Sequence, residues 1–132
     1  MMESKAQEII LSCEINSIER GSLKNLSIIR MSCNDFNISF DIIDSINIFS
    51  QKEKVKAIIS KNRLSYTNDD FCGHGYIVTE LKDSSSNNGN RYTTIISLFG
   101  LLVKIISNKE SFLKTHQLNV MDHIYFCVKK NT

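Results

Sequence analysis

Proline and tryptophan are both absent from the 132 residues, and there are only five glycines. Without proline, an open sheet would lack one of the devices that blunt an exposed edge strand. Charge of one sign is missing as well: 16 Lys and Arg stand against 14 Asp and Glu, a formal net charge of +2. The chain therefore has no global field that would recruit nucleic acid or an anionic membrane, and any such contact has to come from a local patch. No apolar run approaches the ~20 residues that span a bilayer. The opening MMESKAQE also lacks the apolar centre of a secretory signal. A soluble, cytoplasmic protein is expected. The four cysteines, Cys13, Cys33, Cys72 and Cys127, form no C-x-x-C pair, which excludes a zinc ribbon. Cys72-x-His74, joined by His116 or His123, is the nearest approach to a metal signal. The expectation is instead that the cysteines are reduced, half-buried strand residues, their usual state in the cytosol, and that no metal is held.

What the chain does have is an ordinary globular balance, 42% hydrophobic and 23% charged residues, and a length that suits one domain spanning 1–132. A two-residue period dominates. Ile9, Leu11, Cys13 and Ile15 alternate with Ile10, Ser12, Glu14 and Asn16, the pattern of a half-buried strand. Arg20-Gly21-Ser22 turns the chain into a second strand over Leu26 to Cys33, and Asn34-Asp35 turns it into a third, where Phe36, Ile38, Phe40 and Ile42 alternate with polar residues. The apolar stretch Ile42 to Phe49 continues or bends that strand. Further strands are predicted around Val55 to Ile59, Phe71 to Leu81 and His123 to Lys129, and Tyr92 to Phe99 and Leu101 to Ile106, either side of Gly100, form two strands or one sharply bent strand. The polar run 60–70 and the Ser- and Asn-rich run 82–91 are predicted surface loops. A short helical turn is expected within Ser107 to Gln117, capped by Ser107 or Asn108. About eight short strands, almost no helix and no βαβ alternation predict an all-β antiparallel β-barrel, closed because its strands carry few edge-protecting features.

Catalytic constellations are not found. His74, His116 and His123 have no accompanying nucleophile or H-E-x-x-H motif, and Gly73-His74-Gly75 lacks the helix start of a phosphate loop. Asp69-Asp70 lacks the spacing of a calcium site. No catalytic residue and no cofactor are expected. Small barrels do bind single strands by stacking bases on aromatics beside cations, and Tyr76, Tyr92, Phe99 and Tyr125 with Lys82, Arg91 and Lys104 are candidates for such a surface. Aromatics at strand spacing more often serve as core.

Two segments, Thr94 to Ile105 (TIISLFGLLVKI) and Leu118 to Lys130 (LNVMDHIYFCVKK), resemble the closing strands of the small eighth subunit shared by eukaryotic RNA polymerases and of its archaeal counterpart, the G subunit. That family carries Gly-Gly-Leu-Leu-Met, a loop, then an apolar strand ending in two lysines. Gly100, Leu101 and Leu102 match, while Phe99 stands at the first glycine and Val103 at the methionine. Ser27 to Asn47 is a third similar block, with Arg30, Cys33 and Phe36 in place, and Gly75 fits a strand glycine of the family. The run from Ser60 to Asp70 is shorter than the acidic insertion of eukaryotic members, so the chain is similar to the archaeal branch.

The resemblance implies a barrel of OB-like Greek-key character. It also implies a non-catalytic subunit of an archaeal-type DNA-directed RNA polymerase that docks on the largest subunit and meets DNA and RNA only through the complex. The partner-contacting residues expected on this basis are Gly73, Gly75, Tyr76, Phe99, Gly100, Leu101 and Leu102. Of the two leucines, one should point outward, because successive strand residues face opposite sides. The alternative is a free-standing OB-fold protein that binds single-stranded nucleic acid.

Overall fold

A computed structural model describes residues 8–83 and 89–130. Among them are eight strands: β1 (Ile9–Arg20), β2 (Leu26–Cys33), β3 (Phe36–Ile43), β4 (Lys54–Ser60), β5 (Asp70–Asp83), β6 (Arg91–Leu98), β7 (Leu101–Asn108) and β8 (His123–Lys130). The helical content is one turn, α1 (Phe112–Thr115), and a 3₁₀ turn at Asp44–Ile46. All neighbouring strands are antiparallel and they close into a barrel in the order β1-β2-β3-β7-β6-β5-β8-β4. Closure leaves no edge, which is how a chain without proline avoids exposing one. The ring consists of two Greek keys, since β4 lies beside β1 of the β1-β2-β3 meander and β8 lies beside β5 of the β5-β6-β7 meander. The topology is thus repeated although no sequence repeat is discernible.

The two-residue period becomes an inside and an outside. Ile9, Leu11, Cys13 and Ile15 are buried while Ile10, Ser12, Glu14 and Asn16 alternate with them on the outer face. Phe40 lies at the middle of the core, its ring centroid 5.3 Å from Phe71, 5.5 Å from Phe126 and 6.3 Å from Phe49. Scarcity of glycine shows in the turns, several of which use a side-chain-bearing residue with positive φ, among them Asn25, Asn34 and Lys52. Asparagine tolerates that conformation better than most residues do.

The structure departs from the sequence expectations in four places. β1 runs on to Arg20 because a bulge between Ile15 and Ser17 shifts the alternation, so that Ile18 also packs on the core. β3 ends at Ile43, and the following apolar stretch turns through 3₁₀ geometry with Ile43 and Ile46 exposed. The cap of α1 is Ser111, whose Oγ accepts from the Lys114 N–H at 3.1 Å, and not Ser107 or Asn108. Ser111 is held in turn by Glu80, whose carboxylate accepts from the Ser111 hydroxyl, the Leu113 N–H and the buried Thr94 hydroxyl. The fourth departure concerns the cysteines, which are not reduced: Cys13 is bonded to Cys33 and Cys72 to Cys127. Cys72 and Cys127 face each other directly across β5 and β8. A pair in register brings the sulfurs together whatever their separation in the chain.

The run 61–69 is a surface loop as expected, but it is tied down. Leu64 is buried against Ile58 and Cys127, Lys129 Nζ donates to the Ser65 carbonyl at 2.6 Å, and Asp70 accepts from the Thr67 N–H at 2.9 Å. The other expected loop, 82–91, is shorter than expected, because β5 and β6 stay paired out to Lys82 with Tyr92 and Asp83 with Arg91, and its middle, residues 84–88, lies outside the described residues.

Candidate functional site

Phe99 and Gly100 form the two-residue turn between β6 and β7, with Leu98 and Leu101 as the last paired residues. Both turn residues have positive φ, 54° and 105°, the requirement of a tight hairpin turn matched to strand twist. A Cβ on Gly100 would meet nothing within 4 Å, so glycine is used there for its backbone angle alone. Phe99 is 75% exposed, with its ring centroid 5.0 Å from that of His74.

His74 belongs to a cluster that antiparallel register creates. His74-Gly75-Tyr76 on β5 and His123-Ile124-Tyr125 on β8 pair so that His74 faces Tyr125 and Tyr76 faces His123. Residues two apart share a face, so all four rings lie outside the barrel. His74 Nδ1 is 3.0 Å from His123 Nε2, and the neighbouring ring centroids lie between 5.0 and 5.4 Å apart. Beyond Tyr76 the exposed Val78 follows on β5. The turn 119–122 docks beside it through Met121 N–H to Ile77 carbonyl at 2.7 Å and Ile77 N–H to Asp122 carbonyl at 3.0 Å. Asp122 closes that turn by accepting from the Asn119 N–H at 2.9 Å, and Lys61 lies 3.2 Å away. The Asn119 N–H, with Lys61 secondary, holds its carboxyl below the usual carboxylate range. Val120 and Met121, both exposed, belong to this turn. On the other side of Tyr76, register runs Tyr76 to Ser97 to Leu102 across β5, β6 and β7. The Leu102 N–H is held by Asp41 Oδ2 at 2.9 Å. The outcome is an outer face with the ring cluster of Phe99, His74, Tyr76, His123 and Tyr125, and with Leu102 set across Ser97 from Tyr76.

The expected contact residues divide in two. Tyr76, Phe99, Gly100 and Leu102 are on this face, and Leu102, 37% exposed, is the outward leucine. Leu101 is half-buried against the core, and Gly73 and Gly75 point inward beneath Leu98. A Cβ at Gly75 would sit 1.7 Å from the Ser97 carbonyl oxygen, so this glycine allows the end of β6 to cross β5. The expected stacking set also separates. Tyr76, Phe99 and Tyr125 gather, whereas Tyr92, Lys82 and Arg91 lie at the far end of the β5–β6 hairpin and Lys104, on β7, pairs with Ile95 of β6. Neither His74 nor His123 is among the expected contact residues, although the His-x-Tyr pattern repeated in two strands was an available signal. Among the described residues no three His, Cys, Asp or Glu side chains are placed to hold a metal ion. Cys72 is committed to its disulfide.

Comparison with known proteins points one way. The family described as the G subunit of DNA-directed RNA polymerase matches residues 8–131. A DNA-directed RNA polymerase subunit Rpo8 of Saccharolobus shibatae is 97% identical over 131 residues, 99% of this chain and 100% of that protein. The Saccharolobus solfataricus subunit of the same name is 87% identical over 99% of each chain. That of Sulfolobus acidocaldarius is 43% identical over 120 residues, 90% of this chain and 95% of its own. With the match running through every strand of the barrel, the chain belongs to the G-subunit family of DNA-directed RNA polymerases.

Proposed function

We propose that this chain is a non-catalytic structural subunit of an archaeal-type RNA polymerase. It works in the cytoplasm and docks on the largest subunit through the face around Phe99, Tyr76 and Leu102. The family match over 8–131 carries the polymerase assignment. The docking surface is supported by Phe99 itself, which holds a left-handed backbone angle unfavourable to any residue with a Cβ while leaving its ring in solvent. The turn demands that angle of whatever residue stands there, but nothing in the barrel demands a phenylalanine with its ring in solvent, and a partner that covers the ring gives the side chain a reason. Large exposed aromatics at the centre of a patch are the side chains that dominate binding energy. Family membership favours this reading over the free-standing single-strand-binding module.

Two substitutions test it. Leu102→Asp should leave the isolated barrel folded and reduce recovery of the large polymerase subunits with the tagged chain at least about tenfold, because the carboxylate would be desolvated in an apolar contact. Leu101→Asp places its charge against the core and should instead lower stability by several kcal/mol, on the order of 3. Equal loss of folding in both would remove the interface assigned to Leu102. Phe99→Gly relieves the backbone angle, so its denaturation midpoint should stay level or rise by up to about 1 kcal/mol of stability while polymerase recovery falls. A Phe99→Gly chain that assembles as well as the parent would remove the turn from the interface.

A further inference from the structure

We propose that the cleft between the 61–69 loop and the outer face of β5 and β8 binds single-stranded nucleic acid, taking a base against its rings and a phosphate on Arg63. This departs from the expectation that nucleic acid is met only through the complex. The cleft, about 350 Å³, is lined by Arg63, Tyr66, His74, Tyr125 and the Cys72–Cys127 disulfide, with Leu64 and Gly73 completing it. Its volume lies at the small end of the ligand-site range. No carboxylate lines it.

The neighbouring cations are engaged: Lys61 with Asp122, and Lys129 with Asp70 and the Ser65 carbonyl. Arg63 has no ion-pair or hydrogen-bond partner among the described residues, and its planar guanidinium suits a phosphate. Tyr66 is 61% exposed, an unusual place for an aromatic that serves the fold. His74 and Tyr125 are tilted 34° to each other with centroids 5.4 Å apart, so they present neighbouring ring surfaces to the cleft. Three rings and one free cation match a base with its phosphate, because every base has a π-face that stacks. An acidic peptide would use the cation and leave the rings unused.

The loop is also fixed in advance. Buried Leu64 lies between Arg63 and Tyr66, and Lys129 holds the Ser65 carbonyl, so little ordering entropy opposes binding.

The test uses the full chain, fluorescently labelled oligothymidylate and oligouridylate, and anisotropy titrations at about 50 and 200 mM salt. Single strands should bind in the micromolar range, weakening as salt rises, with a duplex of the same sequence weaker. Arg63→Gln should flatten the slope of log affinity against log salt by about 0.7, the contribution of one phosphate contact on a single strand. Tyr66→Leu should weaken binding by about 5- to 100-fold at either salt. Both positions are on the surface loop, and circular dichroism checks that the barrel is intact. Neither substitution should alter recovery of the large polymerase subunits, which keeps this result separate from the docking test. Absence of single-strand binding, binding that neither variant diminishes, or equal displacement by polyglutamate would overturn the proposal. Loss of polymerase recovery in either variant would do so too, because the cleft would then be a protein interface.

Discussion

Alanine at position 75 should prevent the chain from holding its barrel. The added methyl would lie 1.7 Å from the Ser97 carbonyl oxygen, 2.7 Å from the Ser97 carbonyl carbon and 2.9 Å from the Leu98 Cα. All three obstacles are backbone, so no rotamer change removes them. β6 cannot retreat either, since it is paired to β5 on one side and β7 on the other within a closed ring. Relief requires breaking ladder hydrogen bonds, and the expected loss is at least about 3 kcal/mol, a large share of the roughly 5–15 kcal/mol that holds a domain together.

Gly100→Ala provides the contrast. Nothing crowds that position and only the positive φ is unfavourable, so the loss should be about 1–2 kcal/mol. Gly73→Ala meets only the Leu98 side chain, its Cδ1 methyl at 3.1 Å, and should fall between the two. Urea denaturation of the three variants gives the order directly. A Gly75→Ala barrel as stable as the parent would mean that β6 does not cross β5 as described.

Reduction of the disulfides should have the second large effect. The bonds close segments of 20 and 55 residues in sequence separation. Restricting the unfolded chain by such closures contributes about 3 and about 4 kcal/mol in the chain-entropy picture, with the two together giving less than their sum. Thermal unfolding with and without a strong reductant should therefore differ by well over ten degrees for a domain of this size. Cys13→Ser/Cys33→Ser should lose less than Cys72→Ser/Cys127→Ser. Four titratable free thiols in the freshly purified, unreduced protein, or an unfolding midpoint indifferent to reductant, would contradict the pairing. Disulfides are uncommon in cytosolic proteins, with intracellular proteins of hyperthermophiles the known exception, so measuring the thiols also bears on the cytoplasmic location proposed above.

The disulfides also illustrate which features of the molecule sequence could and could not supply. Alternation is a local property, so β2, β3, β4 and β8 were legible from their own residues, and closure followed from the lack of edge protection. Register is not local. Whether Cys72 faces Cys127, or His74 faces Tyr125, depends on how two strands some 50 residues apart slide against each other, and nothing within either strand fixes that. The bulge after Ile15 has the same character: it moves Ile18 to the inside, a shift that a strict two-residue period cannot anticipate. Gly75 was visible as an interior strand glycine, but its reason, the Ser97 carbonyl, comes from another strand. The 61–69 run reads as bland polar loop because the residues that line the cleft opposite Arg63 and Tyr66 lie on β5 and β8. That one of Leu101 and Leu102 points outward was legible, because successive strand residues face opposite sides, but which of them does so was not, and Phe99 read as the end of a strand where the structure has a turn residue.

Docking through the Phe99 face is tested most directly by a photo-crosslinking residue placed at Phe99 in the tagged chain, followed by isolation of the assembled polymerase. Ile10, 55% exposed on β1, is the control, since β1 is four strands from β6 around the ring in either direction. A one-to-one crosslink from position 99 to the largest subunit is expected, with none from position 10. A crosslink from position 10 with position 99 silent, or from position 99 to a different subunit, would rule out docking on the largest subunit through this face.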